Sequence, residues 1–368
     1  MSRALRPFLA VAATGLAAMA IAACGGKSNS STTSGVISPN PTVASAQRFL
    51  NRYAQPDGRV SRIDQGGDTV GEGQAYGMLM AAAIGDEKRF DSIWDWTKGN
   101  IRRPDGLLAF LWKDGKVVNS DAASDADLDA TRALLAASCR FQRPELKRDA
   151  LRLARSIMNL ETITPQPGTV ILVAGQWATK PPLTVNPSYF SPATFAELQK
   201  ETGDVRWGTL AGTSRSITTD LLRGSSRLPP DWAQLQTGRP LPTGPPDNPN
   251  SRSLFTFDAP RTLMRMAEDP NPAGRRIAAR AWPVFKGRDP GTIPVEHDLK
   301  GNPAGNTKHP IVLVAAAAAA GAAKDPADRD KLLNAAEALD RQTPTYYGAA
   351  WVALGRIMLT SRYLDPCT

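Results

Sequence analysis

The chain has 368 residues, 42% hydrophobic and 21% charged, which suits one large globular domain or two small ones. Lys and Arg outnumber Asp and Glu by 44 to 35, a formal charge of +9. The positive residues are scattered, with no dense basic run and no aromatic RNA-reading motif, so the charge reads as solvated surface and a nucleic-acid partner is not expected.

Residues 1–24 read as a targeting segment outside the fold. Arg3 and Arg6 form a positive start, and residues 8–23 are an apolar run broken by Thr14 and Gly15. The run falls short of the roughly 20 residues that span a bilayer, which predicts a signal peptide and not a membrane helix. Ile21-Ala22-Ala23-Cys24 resembles a bacterial lipobox, in which Cys24 is lipidated and becomes the new N-terminus. Ordinary signal-peptidase cleavage at the same small residues is the alternative. Both predict export: a lipoprotein in the periplasm or on the cell envelope, touching the membrane only through its lipid, or a secreted protein. Residues 25–42 are polar and read as a flexible tether. Export also allows a disulfide between Cys139 and Cys367, a buried free thiol at Cys139 being the other reading. No Cys/His spacing suggests a metal.

From 43 to 368 the chain reads as one domain, helix after helix. Apolar periodicity predicts helices over 43–54, 74–85, 87–99, 126–141, 144–159, 191–202, 205–222, 259–268, 273–285, 309–323, 326–340 and 345–362. Phe90, Ile93, Trp94 and Thr97 share one face of the third; Leu128, Thr131, Leu134 and Leu135 share one face of the fourth. Ser124 and Asp127 fit part of a capping box, and Pro144 and Pro272 suit first turns. Residues 107–112 and 116–118, joined through Asp114-Gly115, read as a small hairpin, and 169–173 as a further strand. The Pro/Gly-rich stretch 239–250 reads as a surface loop. About twelve helices arriving in pairs predict an all-α fold, a closed toroid of helical hairpins with a few short β-hairpin insertions. A solenoid is disfavoured because no sequence period repeats.

Three acidic positions stand where helices are expected to begin. Glu72 lies between Gly71 and Gly73, which leaves the backbone free to turn and the carboxyl uncrowded. A helix N-terminus lowers a carboxyl pKa, so a proton donor there needs desolvation or a second carboxylate against it. Asp125, Asp127 and Asp129 crowd one helix start, and helical spacing puts Asp125 and Asp129 on one face with Asp127 elsewhere. Asp258 follows Phe255 and Phe257, with Arg261 one turn on. Each also has a plain reading as a cap or surface pair. Among the aromatics, Trp112 and Tyr189 stand in loop-like contexts suited to stacking on sugar rings.

Several motifs in order carry a family resemblance: Gly71-Glu72-Gly73-Gln74-Ala75-Tyr76-Gly77-Met78, Phe90-Asp91-Ser92-Ile93-Trp94-Asp95-Trp96-Thr97, Ala123-Ser124-Asp125-Ala126-Asp127, Asn186-Pro187-Ser188-Tyr189, Leu228-Pro229-Pro230-Asp231-Trp232, Phe257-Asp258-Ala259 with Arg261, and Tyr346-Tyr347. Together they resemble glycoside hydrolase family 8, in particular the endoglucanases that accompany bacterial cellulose synthesis. The resemblance implies an (α/α)6 barrel and endo-hydrolysis of β-1,4-glucan with inversion. It implies Glu72 as proton donor, Asp258 as catalytic base and Asp125 as an acid that holds and distorts the sugar, with Tyr76, Phe110, Trp112, Tyr189, Arg261 and Tyr347 contacting substrate. It implies no metal and no cofactor, a monomer, a β-1,4-linked polysaccharide as substrate, and cellulose-synthesis machinery as a candidate partner. Gly71 stands where the family usually has Ser, Phe110 where Trp is expected, and Pro260 where an apolar or β-branched residue is usual. Chitosan, xylan or mixed-linkage glucan as substrate, and a catalytically weak glycan-binding lipoprotein, are the competing readings.

Overall fold

The structure, a computed structural model, describes residues 40–236 and 239–365. The described chain runs through α1 (Pro41–Tyr53), α2 (Gly71–Ile84), α3 (Glu87–Asn100), α4 (Ser124–Arg140), α5 (Pro144–Leu160), α6 (Pro192–Thr202) and α7 (Arg206–Leu221). It continues through α8 (Ala259–Ala267), α9 (Pro272–Ala279), the one-turn α10 (Trp282–Phe285), α11 (Pro310–Ala322), α12 (Pro326–Gln342) and α13 (Tyr346–Thr360). Helices α2, α4, α6, α8, α11 and α13 pack each against the next, and α13 returns to α2, closing an inner ring. Helices α1, α3, α5, α7, α9 and α12 lie outside it, so the expected (α/α)6 barrel is what the chain forms.

Composition sorts the two rings. In α2 every residue but Glu72 and Ile84 is buried, and in α11 every residue from Pro310 to Ala320 is. Such helices have no polar face because they have no solvent side. The outer α5 buries only the stripe Leu146, Ala150, Leu153, Ala154, Ile157 and Met158. Small residues let the inner helices close up: a Cβ on Gly355 of α13 would collide with Val314 of α11.

The helices arrive where periodicity puts them, with a few instructive differences. α1 begins at Pro41 under an Asn40 cap, two residues inside the expected tether. The helix expected over 273–285 is broken into α9 and α10, because Pro283 has no N–H to continue the ladder. Pro144 and Pro272 do open their helices. The expected capping box at Ser124 and Asp127 does not form. The Ser124 hydroxyl donates to the Val173 carbonyl (2.8 Å), and Asp127 Oδ1 accepts from the Leu108 N–H (2.9 Å). Both side chains are wholly buried and committed to neighbouring segments instead.

Three small sheets lie in the connections between helices. β1 (Thr69–Val70), β2 (Leu111–Lys113) and β3 (Lys116–Asn119) form the first, its hairpin turning at Asp114-Gly115 as expected, both with positive φ. β4 (Thr162–Gln166) pairs with β5 (Thr169–Leu172), the expected strand. β6 (Leu183–Val185), β7 (Trp232–Gln236) and β8 (Arg239–Thr243) form the third. The stretch expected as loop from 239 therefore opens as a strand. Pro240 and Pro242 hide it, and they are tolerated because β8 is an edge. Cys139 is disulfide-bonded, which overturns the free-thiol reading. Cys24 and Cys367 lie outside the described residues, as do the expected signal peptide and nearly all of the tether.

Candidate active site

The three singled-out acids converge on one buried guanidinium. Strand β1 pairs Val70 with Leu111, and the Gly71 N–H donates to the Phe110 carbonyl (3.0 Å), which sets the start of α2 and puts Glu72 in its first turn. The flanking glycines serve close approach, not a turn, since neither has a positive φ. A Cβ on Gly71 would press on the Ala109 carbonyl at 3.1 Å, and one on Gly73 would overlap the Tyr346 hydroxyl. Asp125, in the first turn of α4, meets Arg261 Nη1 at 2.6 Å and accepts from the Ala126 N–H (2.9 Å). Asp258 sits at the N-cap of α8, with Oδ1 2.6 Å from Arg261 Nη2 and Oδ2 3.2 Å from Asn186 Nδ2. Arg261 Nη1 also lies 3.8 Å from Glu72 Oε2 and 3.3 Å from the Tyr76 hydroxyl. One turn deeper, Arg265 of α8 meets Asp129 of α4 at 2.6 Å. The pairs are four residues apart on both helices, so Asp125 and Asp129 do share a face while Asp127 turns toward Leu108.

Exposure divides the acids. The Asp125 and Arg261 side chains are 2% exposed each, whereas Glu72 is 21% and Asp258 29%. Asp125 and Arg261 form a floor, and Glu72 and Asp258 open above it. Burial pushes the Glu72 carboxyl up to about 7, Arg261 pulls it back, and the charges of Asp125 and Asp258 raise it further. A hydrogen bond with Tyr76 opposes the rise. That hydroxyl already accepts from Trp351 Nε1 and Arg261, which leaves its proton for Glu72 one turn back. Burial likewise raises Asp125, against the pull of Arg261. The dominant influence on Glu72 is thus desolvation, with the helix N-terminus overruled.

The aromatic residues distribute around this floor. Phe110 is 37% exposed beside Asp121, whose carbonyl its N–H reaches at 2.8 Å. Trp112 is half-buried in β2, edge-on to Trp96 and covered by the Arg59 guanidinium. Tyr189 stands in a short turn against Trp232, with the Arg261 guanidinium 5.3 Å from its ring centre. Tyr347 donates from its hydroxyl to the Phe257 carbonyl (3.0 Å) at the lip of a 430 Å³ pocket that also holds Glu72, Asp258, Phe257 and His309. Tyr76 and Arg261 lie beneath the surface, Tyr76 fully buried, and their partners are the acids rather than the open cleft. Asn186, Asp231 and Phe257 stand in the sequence motifs without a role assigned to them, and Trp177 stands in none. Trp177 and Phe257 are 42% and 40% exposed, and Trp177 lies beside the 122–125 segment, across Gly175 from Ala122. Asn186-Pro187-Ser188 carries a readable signal, an Asx turn in which Asn186 Oδ1 accepts from the Ser188 N–H and so turns its amide toward Asp258.

Comparison with known proteins adds an independent line. The glycosyl hydrolases family 8 model matches residues 14–358. A probable endoglucanase of Novacetimonas hansenii is 33% identical over 220 residues, 58% of this chain and 64% of that protein. An endoglucanase of Pseudomonas fluorescens is 30% identical over 238 residues, 59% of this chain and 58% of that one. The chain thus spans about three fifths of the length of the curated relatives it matches. The solved endo-beta-1,4-glucanase of Acetobacter xylinum superposes with a TM-score of 0.73 at 28% identity, covering 87% of this chain and 98% of that one. A beta-1,3-1,4-glucanase of Paenibacillus shares the fold with a TM-score of 0.78 at 18% identity. A match over that much of the chain, on helices that build a closed double ring around three converging acids, places this protein in glycosyl hydrolases family 8.

Proposed function

We propose that the protein is an endo-β-1,4-glucanase that hydrolyses glucan with inversion, Glu72 acting as general acid and Asp258 as general base. The observation that carries this is the shared Arg261. Its guanidinium grips Asp258 and Asp125 at 2.6 Å on different nitrogens but stands 3.8 Å from Glu72. The two acids have different surroundings: burial holds the Glu72 proton to about pH 7 against the pull of Arg261, and Asp258 lies in a direct ion pair with Arg261 at a more open position. Both acids line one pocket of about 430 Å³; inverting hydrolases hold such a pair roughly 6.5–9.5 Å apart, with the attacking water between.

In the reaction, Glu72 gives its proton to the glycosidic oxygen as the C1–O bond breaks. Asp258 takes a proton from a water that attacks C1 from the opposite face, so the new reducing end has the α configuration. Asp125, buried and fixed by Arg261, presents a rigid edge to the sugar at the scissile bond. The exposed rings of Phe110, Trp177 and Phe257, with Tyr347 beside Phe257, offer apolar faces to a chain laid across the cleft. The relatives named endoglucanase favour β-1,4-glucan among the candidate polysaccharides. The leader-like residues 1–24 support an exported enzyme, with Cys24 as its lipid attachment.

The test is reducing-sugar release from carboxymethyl cellulose, xylan and chitosan, with the anomer of the first product read by NMR. Wild type should act on the cellulose derivative and yield the α anomer first. Glu72→Gln and Asp258→Asn should each lose at least about a thousandfold in kcat, since each removes the proton-transfer group. A β product, or a Glu72→Gln enzyme as fast as wild type, would reject the assignment.

A further inference from the structure

Asp258 occupies the N-cap of α8, yet its side chain makes no capping hydrogen bond. Its backbone is helical there (φ −86°, ψ −52°) and not in the extended region a self-capping residue adopts. Its carboxylate is turned from the first N–H groups of the helix to the Arg261 side chain one turn on and to Asn186. An N-terminus left so would have unsatisfied N–H groups beside a partly buried cleft. A residue 27 positions earlier supplies what is missing. Asp231 Oδ1 accepts from the Ala259 N–H at 2.7 Å and from the Thr256 N–H at 3.0 Å, and Oδ2 accepts from the Thr256 hydroxyl. The Asp231 N–H in turn donates to the Leu254 carbonyl at 2.8 Å. Asp231 is thus stitched to both sides of the Phe255-Thr256-Phe257-Asp258 segment.

The support behind it is a single ladder. Asp231 immediately precedes β7, and β7 pairs with β6 so that Ala233 faces Val185. Asn186 directly follows Val185. One antiparallel pair therefore delivers two clamps to the base: Asn186 to its carboxylate and Asp231 to the backbone that carries it.

We propose that Asp231 is a positioning residue for Asp258: it caps α8 in place of Asp258, which frees that carboxylate to face the attacking water. The proposal rests on Asp258 being the base. Without Asp231 the Ala259 N–H becomes available to the Asp258 carboxylate itself, which would turn the base back onto its own helix. Misplacement of a reacting group by about 1 Å costs on the order of a hundredfold in rate.

The experiment compares Asp231→Ala, Asp231→Asn, Thr256→Val and Asp258→Asn for kcat on carboxymethyl cellulose, for cellopentaose Kd by calorimetry, and for thermal midpoint. Asp231→Ala should lower kcat about a hundredfold with Kd within about twofold of wild type. Asp231→Asn keeps an oxygen acceptor for the Ala259 and Thr256 N–H groups and should restore kcat to within about tenfold of wild type. A merely structural role would show kcat and binding falling together with the thermal midpoint, and no rescue by Asn. If Asp231→Ala does not fold, Thr256→Val decides, since it removes one donor to Asp231; a fall in kcat at constant Kd supports the inference and wild-type kcat overturns it. Wild-type kcat in a folded Asp231→Ala, with Asp258→Asn inactive, overturns the positioning role alone. An active Asp258→Asn removes the base assignment beneath it.

Discussion

Glu72 and Asp258 differ by one methylene in chemistry and by several surroundings in task. Glu72 is desolvated, stands farthest from Arg261, and has Asp125 and Asp258 for company, so its carboxyl holds a proton to about 7. The active form of a general acid is the protonated one. Raising the pH through about 7 should therefore empty it, and kcat/KM should fall about tenfold per unit beyond that point. The pH profile of wild type on carboxymethyl cellulose checks this: a basic limb near 7 is expected, and its absence below pH 9 would mean another group donates the proton. Residue identity made the acids visible in the sequence, because carboxylates between glycines or in clusters are few and conspicuous. What residue identity did not carry is which partner each acid finds. Arg261 reads as a surface pair from its spacing to Asp258 and as a sugar contact from the resemblance, and only the closed ring, which brings its side chain from α8 to acids at the starts of α2 and α4, turns it into the buried hub.

Helices were legible because their pattern is local. The inner α2 and α11 announce themselves by unbroken apolar and small residues, and the outer α5 by its stripe. β8 was not legible, since its Arg-Pro-Leu-Pro-Thr sequence is a strand only by virtue of pairing with β7. The same holds for Asn186 and Asp231, whose work is done on a segment that the sequence places far away. Element packing also explains why Gly73 follows the acid. The Tyr346 hydroxyl, at the start of α13, fills the space a side chain would occupy, with the ring carbon Cζ 3.2 Å from where that Cβ would stand. Gly73→Ala should thus force α2 and α13 apart, costing about 1–3 kcal/mol and lowering kcat with it. Tyr346→Phe removes the clashing oxygen while keeping the ring, so the double variant should recover most of the stability. Thermal unfolding of the four proteins in a mutant cycle measures the coupling; additive losses would mean that the glycine is there for some other reason.

Across the barrel as a whole, several enclosed carboxyls hold their protons more tightly than in water because burial disfavours the charge. Burial raises Glu72 and Glu197 to about 7 and Asp231 and Asp340 to about 6, and raises Asp127 and Glu161 well above their ordinary range. For each, the folded state binds its proton more tightly than the unfolded chain, whose carboxyls release theirs near pH 4–4.5. The stability such a group contributes is intact below that range and is lost as pH rises through the folded value. The carboxyls lowered by partners, such as Glu337 among its arginines, act only on the acid side. Thermal stability should consequently peak on the acid side of neutrality and decline toward pH 8. Glu197 isolates the effect, since it lies on α6 away from the cleft, 7% exposed beside Arg132, in a pocket shared with Glu268 and Asp365. Its charges of either sign nearby, from Arg132, Lys200, Glu201 and Asp365, do not cancel the burial. Moving its pKa from 4.5 to about 7 costs the folded state on the order of 3 kcal/mol once pH exceeds 7. Glu197→Gln keeps the shape and has no proton to lose. It should match wild type in thermal midpoint at pH 4 and exceed it by several degrees at pH 8, with catalytic activity retained. A difference that is the same at both pH values would show that Glu197 acts through packing and not through its charge.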